Sequence, residues 1–178
     1  KSIPVCTLKH FPNQIEHTLQ WAREYFEETF KQAPENVNAY ISTPDKDMYA
    51  ASLANQHNMK MEVLTNVFDL LVKDKPNNYG ECIAWARLQF EELFSNRIKQ
   101  LLHNFPADRV NAAGVPFWSG AKKPPTPLSF DMNDAMHMEF IVAMADLRAL
   151  CYSIPSSAAD VAAIRSLLSN LSVPAFVY

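Results

Sequence analysis

Apolar side chains recur every three or four residues along most of this 178-residue chain, which is the spacing of one face of an α-helix. The first such stripe consists of Ile15, Leu19, Ala22, Phe26 and Phe30. Alternating β-branched runs are missing, so strands are not expected. We therefore predict an all-α fold, in which residues 1–178 form a single compact multi-helix domain.

Prolines and capping residues divide the helical pattern into separate helices. We predict a first helix at about 15–31, begun by a capping-box arrangement of Asn13 and Glu16, and a short helical stretch at 34–41. Asp45 is predicted to cap the next helix. The further predicted helices lie at about 59–73, 78–104, 134–153 and 158–171.

The longest segment without a helical pattern lies at about residues 106–131, which we predict to be one long ordered irregular loop. Four of the twelve prolines lie between Gly114 and Asp131, where they oppose regular structure. Loops of this length are usually functional or disordered. Order is expected because four large apolar side chains can anchor the segment: Phe117, Trp118, Leu128 and Phe130. Lys122 and Lys123 form a small basic spot.

Composition argues against several classes of function. The net charge is −3 with no basic block, which disfavours nucleic-acid binding. Only three glycines occur, and neither glycine-rich phosphate-binding motif is present, so a nucleotide site is expected to lie outside this chain. No apolar run reaches about 18 residues, so no membrane span is predicted. The chain begins with Lys1 rather than Met, and we expect an excised part of a larger protein.

The three cysteines, Cys6, Cys82 and Cys151, are odd in number and far apart in sequence. A disulfide framework or a zinc site is therefore not expected, and the cysteine pattern favours a reducing compartment. The five histidines show no metal-binding spacing either, so no metal site is predicted. Cys82 and Cys151 are flanked by apolar residues in helical patterns, and we predict that both lie in the core.

Cys6 differs from the other two cysteines because it lies in a proline-flanked stretch, "PVCTLKHFPN", before the first predicted helix. Lys9, His10 and the helix N-terminus near Asn13 could stabilise a thiolate and so create a nucleophile. The alternative is that Cys6 is a small buried hydrophobic residue, as most cysteines are. On these features alone both interpretations stay open.

Two segments resemble each other: residues 18–30 and 82–94 align without gaps and share Trp, Arg, Phe, Glu, Glu and Phe at matching positions. The alignment indicates either a duplicated helical unit or convergence on a good amphipathic pattern. We favour convergence, because repeat proteins need three or more units for stability.

Five segments together resemble the ubiquitin-activating enzyme family, and specifically its second catalytic-cysteine half-domain. They are "CTLKHFPN", "IEHTLQWAR", "ENVNAY", "IKQLLHNFP" and "PFWSGAKKPPTPLSFD". The similarity runs in the same order from Ile3 to about Phe176, and is least distinctive at about 43–75. Lys123 replaces a frequent arginine of the family and Ala175 replaces an acid, and neither change touches the cysteine loop.

The resemblance implies a catalytic role for Cys6. In this family the matching cysteine accepts ubiquitin from ubiquitin adenylate as a thioester and passes it to a ubiquitin-conjugating enzyme. Transfer between thiols requires access, which agrees with a loop position. We expect Thr7 to position the site by a hydrogen bond, and Lys9 and His10 to give electrostatic support.

The resemblance also implies that ATP and magnesium bind in a separate adenylation domain of the same enzyme, so this chain would hold no cofactor. The expected partners are ubiquitin, ubiquitin-conjugating enzymes and that adenylation domain, with neither nucleic acid nor membrane. We expect a monomer, located in cytoplasm and nucleus, that folds alone but cannot activate ubiquitin alone. Two alternatives remain: the same role for a related ubiquitin-like modifier, or a helical interaction module with an incidental cysteine.

Overall fold

The structure, a computed structural model, describes residues 7–8, 11–53 and 60–178. Within these ranges the regular secondary structure is helical, and the strand-like feature is one isolated antiparallel bridge between Val110 and Pro116. No described helix is both long enough and apolar enough to cross a bilayer. The predicted all-α fold is thereby confirmed.

The described helices follow the predicted pattern closely. In chain order they are α1 (Ile15–Glu27), α2 (Ala33–Ser42), α3 (Lys46–Ser52), α4 (Lys60–Phe68), α5 (Tyr79–Glu91), α6 (Arg97–Asn104), α7 (Ala135–Cys151) and α8 (Val161–Asn170). Three π-helical turns extend or join them: Glu28–Gln32 between α1 and α2, Asp69–Lys73 after α4, and Glu92–Asn96 between α5 and α6. No helix lies between Asn104 and Ala135, which confirms the predicted irregular segment.

One predicted break is bridged in the structure. The first helix was expected to end near residue 31, but α1 continues through the turn Glu28–Gln32 into α2. Pro34 lies in the first turn of α2, where it has no amide hydrogen to give to a carbonyl one turn earlier. The wider π-helical turn directly before it accommodates this missing bond without ending the helix.

Side-chain caps fix the starts of several helices. Asp45 Oδ1 accepts hydrogen bonds from the amides of Asp47 and Met48, at 2.9 and 3.2 Å, and so confirms the predicted cap. The predicted cap at Asn13 is wrong. The N-cap of α1 is the next residue, Gln14, and its side chain makes no capping hydrogen bond. The amide of Asn13 donates instead to Nδ1 of His17 at 3.2 Å.

The core lies where α5, α7 and α8 pack together. Its buried members are Tyr79, Cys82, Ile83, Ala86, Phe90, Ile141, Met144, Ala145, Ala149, Ile164 and Leu168. The small side chains of Ala86 and Ala145, both fully buried, let α5 and α7 approach closely. Phe130, at the end of the irregular segment, contacts Phe90 with a centroid distance of 5.3 Å and so ties the segment to the core.

The two similar sequence segments fold alike. Each ends in a π-helical turn, and the turns Glu28–Gln32 and Glu92–Asn96 occupy matching positions of the alignment. Contacts between the two segments are also reciprocal: Trp21 contacts Phe94 (6.4 Å), Phe30 contacts Trp85 (6.1 Å), and Tyr25 Oη donates to Oε1 of its counterpart Gln89 (2.9 Å). Such exchange is what a local two-fold axis produces. Duplication and convergence on one amphipathic pattern would both produce these contacts, so the preference for convergence stays a prediction.

Candidate functional site

The predicted site residues lie near the N-terminus of the chain. Cys6, Lys9 and His10 lie outside the described residues. Thr7 and Leu8 are helical, and Leu8 is buried with 4% exposure. The carbonyl of Thr7 accepts a hydrogen bond from the amide of Phe11 at 3.2 Å. Because this contact is made by the backbone, the role expected for the Thr7 hydroxyl stays a prediction.

Phe11, whose amide contacts Thr7, also contacts the irregular segment through its ring. Its ring makes edge contacts with Phe105 (6.5 Å), Phe117 (5.8 Å) and Trp118 (5.8 Å). Phe105 and Phe117 stack on each other at 4.8 Å. We call these four residues the aromatic anchor. It joins the chain just after Cys6 to residues about one hundred positions later.

Hydrogen bonds fix the indole ring in the aromatic anchor. Trp118 Nε1 donates to the carbonyl oxygens of Phe105 and Pro106, both at 3.0 Å. Phe105 is the C-cap of α6, so the ring is tied to the end of that helix. The amide of Phe117 donates to the carbonyl of Arg109 at 2.8 Å. A partly buried indole N–H usually needs such a partner, and here it has two acceptors.

Two cations cover the aromatic anchor. Lys122 Nζ lies 5.1 Å from the ring centre of Phe11 and 4.9 Å from that of Phe117. The guanidinium carbon of Arg109 lies 4.9 Å from the ring centre of Phe105, and its Nη1 donates to the carbonyl of Asn104 at 2.7 Å. Lys122, one of the two lysines of the predicted basic spot, thus packs on aromatic rings. Each cation–π contact contributes roughly 0.5–1 kcal/mol.

A cavity of about 460 Å³ lies elsewhere, between the α1–α2 run, α4 and the end of α7. Arg148 lines it and is buried with 5% exposure. Its guanidinium lies 4.3 Å from the ring centre of Trp85, and Nη2 donates to the carbonyl of Asp74. Burial lowers the pKa of Arg148, with partial compensation by Tyr152. The cavity shares no lining residue with the aromatic anchor.

The two described cysteines differ in exposure. Cys82 is fully buried, which confirms its predicted place in the core. The same prediction for Cys151 is wrong, because it is the last residue of α7 and lies exposed at the edge of the cavity. Desolvation raises the pKa of both thiols, although the positive charge of Arg148 acts in the opposite direction. Neither thiol is therefore activated for nucleophilic attack.

Metal binding finds no support in the described part of the chain. No three His, Cys, Asp or Glu side chains there lie close enough together to hold an ion. The described site consists of aromatic packing, backbone hydrogen bonds and two cations around Phe11 and Phe105.

The sequence predicts one side of the aromatic anchor but not the other. Phe117 and Trp118 were expected to anchor the irregular segment, and both are partly buried. Leu128 anchors the segment through its backbone: its amide donates to the carbonyl of Phe94 at 2.8 Å, whereas its side chain is 43% exposed. Phe11 was missed. The sequence signal was that Phe11 is a large apolar residue beside Pro12 and outside the helical stripe. Such a ring needs a packing partner from another part of the chain.

The fold and site together define an all-helical domain whose irregular segment packs against Phe11. Comparison with known proteins gives the family: residues 12–178 match the family described as ubiquitin-activating enzyme, SCCH domain. The chain belongs to this family, that of the catalytic-cysteine half-domain of ubiquitin-activating enzymes.

Proteins that match nearly the whole of this chain agree with the family assignment. The chain is 51% identical over 176 residues to ubiquitin-activating enzyme E1 1 of Schizosaccharomyces pombe. It is 49% identical over 177 residues to ubiquitin-like modifier-activating enzyme 1 of Dictyostelium discoideum, and 47% identical over 176 residues to the mouse protein of that name. Each match covers 99% of this chain but only 16–17% of the relative. The chain thus spans about a sixth of the length of these relatives.

Proposed function

We propose that this chain is the domain of a ubiquitin-activating enzyme that carries ubiquitin as a thioester on Cys6. The thiolate attacks the carbonyl carbon of the C-terminal glycine in ubiquitin adenylate. A carbon–sulfur bond forms, the bond from that carbon to the AMP oxygen breaks, and AMP leaves; the thiol has already lost its proton. The cysteine of a ubiquitin-conjugating enzyme then attacks the same carbon, and the Cys6 thiolate leaves.

The observation that carries the proposal is the 51% identity to a ubiquitin-activating enzyme across 99% of the chain. Because this alignment spans 176 of the 178 residues, it includes position 6. The family match, in contrast, begins at residue 12. The other two cysteines are poor candidates, because Cys82 is inaccessible and the pKa of Cys151 is raised rather than lowered. A thioester carrier needs an accessible thiol that ionises easily.

The proposal assigns adenylate formation to another part of the enzyme. We infer that ATP and magnesium bind in the adenylation domain, because the sequence of this chain has no glycine-rich phosphate-binding motif. Ubiquitin, a conjugating enzyme and the adenylation domain are then the partners. Ubiquitin-like modifiers form a second substrate class, because two relatives are named as activating enzymes for such modifiers.

The test uses the parent enzyme with Cys6→Ala, and with Cys151→Ala as the matched control. Two signals are followed: ubiquitin-dependent exchange between ATP and pyrophosphate, and a thiol-sensitive ubiquitin adduct on a non-reducing gel. Cys6→Ala should keep the exchange and lose the adduct, whereas Cys151→Ala should keep both. Persistence of the adduct in Cys6→Ala would show that another cysteine carries ubiquitin. Parallel reactions with ubiquitin-like modifiers determine whether the second substrate class is served.

A further inference from the structure

We propose that Phe117 and Trp118 are positioning residues for Cys6. They hold the ring of Phe11, and through it they orient the short stretch of chain that begins at the cysteine. The irregular segment would then act in thioester formation without touching the reacting atoms. This inference rests on the proposed thioester function, and it concerns a segment to which that function gave no role.

The covalent connection between the aromatic anchor and Cys6 is short. Cys6 directly precedes Thr7 in the sequence, so one peptide bond joins them. The hydrogen bond from the Phe11 amide to the Thr7 carbonyl, at 3.2 Å, links the backbone of Phe11 directly to that of Thr7. Leu8, which follows Thr7, is buried with 4% exposure. A displacement of Phe11 is therefore transmitted to the residue bonded to the cysteine.

The irregular segment is braced by its own bonds rather than by Phe11. Asn111 Oδ1 accepts from the amides of Ala113 and Val115, both at 2.9 Å, and Gly114 supplies the positive φ of 75° that the turn requires. The indole hydrogen bonds of Trp118 fix the other side of the turn to the end of α6. The surface that receives Phe11 is thus formed by local contacts, as a positioning element should be.

The aromatic anchor also lies apart from the hydrophobic core. None of its four residues is among the buried core residues, and all four side chains are only partly buried. The ring contacts with Phe11 therefore add little to the core that holds α5, α7 and α8 together. Their removal should loosen the stretch next to Cys6 while the core persists. Misplacement of a reacting group by about 1 Å can slow a reaction roughly a hundredfold.

The experiment uses the full parent enzyme and compares two rates for each variant. One is ubiquitin-dependent ATP–pyrophosphate exchange, and the other is single-turnover formation of the thiol-sensitive adduct. Trp118→Ala should slow adduct formation by roughly 10–100-fold and leave exchange unchanged. Trp118→Phe, which keeps a ring but loses the indole N–H, should fall between wild type and Trp118→Ala. Val115→Ala is the control on the same turn, because its side chain is 51% exposed and outside the aromatic anchor.

A double-mutant cycle separates positioning from general destabilisation. Phe11→Ala and Trp118→Ala should each slow adduct formation, and their combination should be no slower than the worse single variant, because both break the same contact. Multiplicative losses, unchanged adduct formation, or an equal loss of exchange would overturn the inference. If Trp118→Ala does not fold, Phe117→Leu and Trp118→Phe each replace it, and each is combined with Phe11→Ala in the same cycle. An adduct that persists in Cys6→Ala would instead refute the thioester function itself.

Discussion

Replacing Phe90 by leucine should destabilise the domain by about 2–3 kcal/mol, because this ring joins the core to the irregular segment. Phe90 is 2% exposed, and four rings contact it: His137 (4.7 Å), Phe94 (5.1 Å), Phe130 (5.3 Å) and Phe140 (5.8 Å). At about 0.5 kcal/mol for each lost ring pair, the contacts account for roughly 2 kcal/mol. The smaller volume of leucine adds a partial cavity. Urea unfolding of the 178-residue chain measures the change in the free energy of unfolding. In thermal unfolding, Tm should fall by about 4–12 °C.

The similar segment at residues 18–30 supplies the control for this prediction. Phe26 occupies the position that aligns with Phe90, but it is 47% exposed and its described ring contact is with Phe30 alone, at 5.6 Å. Phe26→Leu should therefore change the free energy of unfolding by less than about 0.5 kcal/mol. Equal losses from the two substitutions would refute the reasoning, since sequence position rather than burial would then determine the effect.

Two further predictions follow from the thiols and the buried tyrosine. Under native conditions a maleimide reagent should label Cys151 and leave Cys82 unlabelled until the chain unfolds, as peptide mapping by mass spectrometry would show; labelling of Cys82 in the folded chain would contradict its burial. Desolvation, reinforced by the hydrogen bond to Asp146, raises the pKa of Tyr79 from 10.0 to about 12. The folded state therefore retains this proton longer than the unfolded state does, and the contribution to stability is complete below pH 10 and is lost as pH rises towards 12. Chemical unfolding between pH 9 and 12 should show a steeper loss for wild type than for Tyr79→Phe, and parallel slopes would contradict the assignment.

The sequence predicts the helices well because their signals are local. Apolar spacing and caps such as Asp45 act within a few residues, so they can be recognised without the fold. Proline is also a local signal, yet Pro34 misled the prediction because the π-helical turn Glu28–Gln32 carries the helix past it. Helical spacing likewise failed for Cys151, because the pattern does not reveal that this last residue of α7 lies at the edge of the cavity, although Ala149 in the same turn is buried.

The long-range contacts could not be derived from the sequence in the same way. Arg23 with Glu27 and Arg87 with Glu91 are the same pair in the alignment, but the first pair is exposed and the second is mostly buried. Only packing distinguishes them, since Arg87 also covers the ring of Phe130 at 4.5 Å. The aromatic anchor is similar, because its rings come from segments separated by about one hundred residues.

The most direct test of the account is to locate ubiquitin on the enzyme. The parent enzyme is loaded with ubiquitin and ATP, quenched in acid to preserve the thioester, digested with pepsin and analysed by tandem mass spectrometry. The account predicts that the C-terminal fragment of ubiquitin is attached to the peptide that contains Cys6. Attachment to a peptide that contains Cys82, Cys151 or a cysteine elsewhere in the enzyme, with Cys6 unmodified, would contradict it.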